Sequence, residues 1–115
     1  MHKSHKKTES YLVRALTEVC EEAKFRYRGF SWLTHQVRYP HFPSSLIITC
    51  VFETDEQVQE LLNTDQDIAL KEDIVAALHN YDLDLLVPSR HITLDSEQAC
   101  VREHKGNWKR RLGEP

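Results

Sequence analysis

Glycine and proline are scarce in this chain, three and four among 115 residues. So few glycines provide no phosphate-cradling loop, so nucleotide hydrolysis is not expected, and neither are long flexible linkers. No Cys-x-x-Cys pair occurs. The three cysteines, Cys20, Cys50 and Cys100, are widely spaced and set in apolar patterns. They read as reduced, buried thiols rather than as disulfides. No apolar run approaches the roughly 20 residues of a membrane-spanning helix, so no membrane partner is expected. The opening stretch MHKSHKKTES lacks the apolar segment of a secretory signal, and the cytoplasm is the expected location.

What is present fits one globular domain. Hydrophobic residues make up 40% and charged residues 29%, which separates the chain from disordered sequences. A chain of this length supports one core without staples. The expected organisation is a disordered basic arm over 1–7, a single α+β domain over 8–112 and a tail over 113–115. The net charge of -3 is unevenly spread. Lys3, Lys6 and Lys7 make the first eight residues +3. Five basic residues against Glu103 and Glu114 make 101–115 another +3, so the body carries -9. Basic ends on an acidic body suit an acidic partner or a second copy, and they also serve simply as solvated ends.

Periodicity places the elements. Tyr11, Leu12, Ala15, Leu16, Val19, Cys20 and Ala23 recur at helical spacing, which predicts an amphipathic helix over Thr8–Lys24. Phe25–Tyr39 is aromatic and β-branched and reads as extended, with Gly29 a turn or bulge within it. On simple alternation Phe30, Trp32, Thr34, Gln36 and Arg38 share one face. Trp32 is then expected in the core against the first helix. Pro40 and Pro43 end the pairing and leave HFPSS as the loop. Leu46–Phe52, apolar on both parities, reads as a central strand antiparallel to the first. Thr54 with Gln57 has capping-box spacing and opens a helix with Val58, Leu61 and Leu62 inward. Asp65 is expected to cap a second helix with Ile68, Ile74, Val75 and Leu78 as its core positions. Leu83–Val87 suits a short strand or an extended connection, and His91–Leu94 a last strand. Asp95 and Ser96 precede a short helix over Glu97–Lys105 that Gly106 terminates. The fold class expected is α+β: a small, mainly antiparallel sheet of about three strands with helices packed on one face.

The segments GFSWLTH, FPSSLIITCVFET and GNWKRRL, with the early ALTEVCEEA, make the chain resemble a group of short uncharacterised bacterial proteins over most of its length. Some of that group are labelled Fis-type transcriptional regulators, a label that implies a helix-turn-helix DNA binder. The helix-turn-helix candidate here is Thr54–Asn63 followed by Asp65–Asn80. It carries seven acidic residues against Lys71 alone, a charge that repels phosphates rather than releasing their counterions.

One set of residues fits nucleic-acid or partner binding: Lys24, Arg26, Arg28, Arg38, Tyr39, Trp108, Lys109, Arg110 and Arg111. Aromatic rings stack bases while Lys and Arg follow phosphates. The alternative is that the aromatics are core and the cations flank it. Seven histidines lack the local Cys and His spacing of a zinc site, so no metal ligand and no cofactor are assigned. Catalysis could draw Cys50 or Ser44 together with His35 or His41 and a carboxylate such as Glu53. Cys50, inside an apolar strand, reads as core instead. The leading expectation is a non-enzymatic binding or regulatory module with a nucleic-acid or ribonucleoprotein partner. The alternatives are a protein–protein module, homodimer or adaptor, and a small enzyme built on His35 or His41.

Overall fold

The computed structural model describes residues 2–39 and 41–113, with side chains from His5 onward. The first helix, α1, spans His2–Arg26, longer at both ends than its apolar stripe. Residues 2–7 contain no glycine, proline or β-branched residue, so once the amphipathic part is nucleated the helix propagates through them. Their backbone is helical where a disordered arm was expected. The same propagation takes Phe25 and Arg26 into the helix and overturns the extended reading of that stretch. The helix ends where Gly29 turns into φ +82, a conformation that side-chain-bearing residues avoid.

Strand β1 (Phe30–Gln36) pairs antiparallel with β2 (Ile47–Phe52), and β2 pairs parallel with β3 (Ile92–Ser96) in the order β1-β2-β3. The expected three-strand α+β architecture is the one observed, with a mixed sheet. Its parallel half follows from the helical crossover between β2 and β3, since adjacent parallel strands cannot be joined by a tight turn. A register shift between Phe30 and Trp32 changes the parity of β1. Phe30 pairs with Phe52 while Trp32 pairs with Val51, so the two aromatics lie on opposite faces. Trp32 is therefore not part of the core against α1, as alternation had suggested.

That core is built from Leu12, Ala15, Leu16, Val19 and Ala23 of α1 with Ile48, Cys50 and Phe52 of β2, all buried. Each large apolar side chain removed from water contributes about 1.5–3 kcal/mol. Helix α2 (Asp55–Asn63) begins at Thr54 with the expected capping box closed in both directions. Helix α3 (Gln66–His79) follows after only Thr64 and Asp65. Asp65, expected to cap the helix, sits instead at φ 58 and makes no capping bond: the two-residue link puts it in a left-handed conformation rather than the extended one of a capping residue. The buried positions of α3 are Leu70, Ile74 and Leu78, whereas Ile68 is exposed; packing on α1 selects the i, i+4, i+8 row. In α2 it is Leu61 that is buried, with Val58 partly covered and Leu62 exposed.

Leu83–Val87 forms no strand; Leu83 and Leu85 are buried while Leu86 is exposed. A 3₁₀ turn over Pro88–Arg90 leads into β3. Helix α4 (Glu97–His104) is capped by Ser96. A short α5 (Trp108–Arg111), capped by Asn107, is the last helix of the described residues. While α1 packs on one sheet face, α5 crosses the other, where Thr49 and Val51 are buried. The terminating role expected of Pro40 and the tail beyond Gly113 fall outside the described residues.

Candidate interaction surfaces

The tail residues expected to bind a partner are engaged within the fold. Ser96 starts α4, which places Glu97 in its first turn beside the bulged start of β1. Glu97 accepts the indole N–H of Trp32 at 3.1 Å through Oε2 and that of Trp108 through Oε1. The two rings meet edge to face, 4.9 Å between centroids at 83°, the geometry that their quadrupoles favour. Arg111 grips Asp95 in a bidentate pair at 2.6 and 2.9 Å and reaches Glu103 at 2.9 Å. Its side chain is only 14% exposed, and the hydrogen bonds to Asp95 push its pKa further up. Gln36 donates to the Leu112 carbonyl at 3.0 Å and ties the end of the tail to β1. Lys109 and Arg110 remain exposed.

A second group of cations lies at the end of α1. Arg26 pairs with Asp73 at 3.0 Å, and the Tyr27 hydroxyl donates to the same carboxylate at 2.6 Å. Burial, and then this hydrogen bond, push the Tyr27 phenol well up. Arg28 lies 3.7 Å from Glu60. Lys24 is exposed. Acidic α2 and α3 thus neutralise the arginines nearest to them.

Arg38 and Tyr39 follow the other end of β1, roughly 20 Å away at about 3.3 Å per residue. The nine candidate residues are therefore divided among three places rather than joined in one platform. Around Tyr39 the sequence had given no sign of an organiser, yet Glu9 is one. It accepts His35 Nε2–H at 3.0 Å and the Tyr39 hydroxyl at 3.0 Å. His5 stacks on Tyr39 at 5.1 Å. Burial first, then the Glu9 hydrogen bond, push the Tyr39 phenol up to about 12. A groove beside this cluster is lined by Glu9, His35, Gln36, Arg38, Tyr39 and Gly113 among others.

The cluster pairs a histidine with a carboxylate, but with Glu9 rather than Glu53, and the named nucleophiles are not joined to it. Cys50 lies fully buried in the core, where loss of hydration pushes its thiol up to about 12. Ser44 donates to the His41 carbonyl at 3.1 Å. Among the described residues no three His, Cys, Asp or Glu side chains come together as metal ligands. His91 is structural: buried, it donates Nδ1–H to the Leu46 carbonyl at 2.8 Å.

Glu9, Asp95 and Glu97 are the functional-looking residues that sequence reading missed. A usable signal existed for Glu97, since two half-covered indoles each require an acceptor. No helix of the described residues is long and apolar enough to cross a membrane. No protein-family model matches the chain, and neither a curated protein nor a solved structure matches it.

Proposed function

We propose that this chain is a non-enzymatic binding module whose partner is a protein. The observation that carries the reading is the contrast between engaged and free side chains. Trp32, Trp108 and Arg111, the stacking and phosphate-gripping groups that nucleic acid would need, are held by Glu97, Asp95 and Glu103. Large apolar side chains stand free instead: Phe25 is 92% exposed and Leu86 94%. Phe25 borders a groove between α1 and α3 with Val19, Ala76 and Ala77 and the carboxylates of Glu21 and Glu22. Apolar anchors surrounded by charge are the anatomy of a protein interface. The test is affinity capture with the wild type against Phe25→Ser and Leu86→Ser. A defined protein recovered by the wild type and lost with either variant supports the reading. Recovery of nuclease-sensitive material alone contradicts it.

A nucleic-acid partner is the second reading, and the exposure of Lys109, Arg110 and Lys105 at the tail favours it. It requires binding that weakens with salt and weakens further when Lys109 and Arg110 are reversed in charge.

A further inference from the structure

We propose that the solvent face of α1 is a two-fold interface joining two copies of this chain; the inference rests on the protein-binding reading and names the partner. From Lys6 to Glu22 the exposed charges of this helix are sorted along its length: Lys6, Lys7 and Arg14 come first, followed by Glu18, which accepts the Tyr81 hydroxyl, and by Glu21 and Glu22. The described acid of the first half, Glu9, is turned to His35 and Tyr39. Beyond Glu22, Lys24 is exposed, while Arg26 and Arg28 are taken up by Asp73 and Glu60. No salt bridge engages Arg14, Glu21 or Glu22 among the described residues.

The helix dipole accounts for Lys24 and Arg26 in the last turn but not for the basic start, since its positive end favours acids in the first turn and α1 has none there. A second α1 running antiparallel gives the order a use, because Arg14 of each copy then lies on the acidic stretch of the other. The pattern is self-complementary, as an isologous contact requires, and it closes as a dimer rather than growing into a filament.

The spacing supports one register. Ser10, Arg14, Thr17, Glu21 and Phe25 are separated by four, three, four and four positions and so form a single stripe. Placing Arg14 opposite Glu21 of the second copy also places Ser10 opposite Phe25. The position numbers of both pairs add to the same value, as antiparallel strands of contacts must. Thr17, a small side chain, falls near the axis. Beside Ser10 lies a shallow groove lined by His5, Val13 and Tyr39 among others. Val13 is 44% exposed. The Phe25 ring of the second copy meets that groove, and each copy supplies one ring and one groove.

Sedimentation equilibrium on the full chain at low and high salt tests the interface. The wild type is expected to dimerise at low salt and to dissociate more readily as salt screens the pairs. Arg14→Glu and Glu21→Arg each weaken association by about tenfold or more, since two symmetric pairs become repulsive. The double variant R14E/E21R restores it. Phe25→Ser weakens association without changing the thermal midpoint of the monomer, and circular dichroism on every variant separates lost contact from lost fold. A wild type that stays monomeric at low salt, or a double variant no better than the singles, overturns the proposal. A monomer that still captures a defined protein through Phe25 would remove this interface and leave the protein-binding reading standing. A monomer that binds only oligonucleotides would remove both.

Discussion

Gly29 lies directly under the side chain of Gln57: a Cβ built on the glycine would fall 2.1 Å from Gln57 Oε1. That same oxygen accepts the Thr54 N–H at 3.0 Å and closes the capping box of α2. The turn after α1 and the start of α2 are therefore one structural unit, further tied by the Glu53 N–H donating to the Gly29 carbonyl at 3.0 Å.

Gly29→Ala is expected to lower stability by about 1–3 kcal/mol, combining left-handed strain with a displaced cap. Gln57→Ala alone should cost about 1 kcal/mol. Because the shorter side chain makes room for the new methyl, the double variant should cost less than the sum of the singles. Urea denaturation of the four proteins in the cycle checks this, and strict additivity would mean that the two residues act independently.

Glu97→Ala leaves two half-buried indole N–H groups without their acceptor, an expected loss of about 2–3 kcal/mol. Glu97→Gln keeps a neutral acceptor for one indole and should lose less. The near-ultraviolet circular dichroism of Trp32 and Trp108, the only tryptophans in the chain, reads the packing directly. An unchanged aromatic spectrum in Glu97→Ala would show that the carboxylate does not hold the rings.

Arg111→Ala strands Asp95, whose side chain is 17% exposed, and is expected to cost about 2–3 kcal/mol. Lys109→Ala and Arg110→Ala, on exposed positions of the same turn, should stay within about 0.5 kcal/mol of wild type. Chemical denaturation ranks the three, and equal effects would contradict the docking of α5 through Arg111.

Two classes of group make stability depend on pH, with opposite signs. Hydrogen bonds from Ser96 and Arg102 hold the Asp55 carboxyl below its ordinary range, and Arg111 with Arg102 does the same for Glu103. Their contribution is complete above the ordinary carboxylate range and is lost as pH falls through their lowered folded values. The hydrogen bond to Asp84 raises the His79 imidazole. Its contribution is complete below the ordinary histidine value of about 6.5 and disappears as pH rises through the raised one. Asp55→Asn should therefore flatten the acid limb of a melting-temperature profile. His79→Ala should lower only the portion below the raised value of the imidazole, and a uniform downward shift would contradict that assignment.

The parts of the fold that were readable depend on local chemistry. The apolar row from Leu12 to Ala23, the Thr54 and Gln57 box and the Ser96 cap each lie within a few residues, and each appears as expected. The parts that were not readable depend on distant residues. The register shift after Phe30 moved Trp32 to the far face, and nothing in the strand's own alternation marks it. Asp65 has a capping side chain but a left-handed backbone, because only Thr64 and Asp65 separate two helices. In α3, Ile68 and Leu70 are equally apolar, and only the position of α1 decides which is buried. For the candidate surface, residue types were visible but their partners were not. Glu97 lies 65 positions from Trp32, and such a pairing turns an apparent binding platform into scaffold.

Tryptophan fluorescence during titration with single-stranded RNA and DNA at low salt reads whether the rings stay held within the fold, because both tryptophans belong to the Glu97 network. Neither titration is expected to quench the emission or to shift its spectrum. Saturable quenching that weakens with added salt would show Trp32 and Trp108 released to stack on bases, and would contradict the assignment of this cluster to the scaffold.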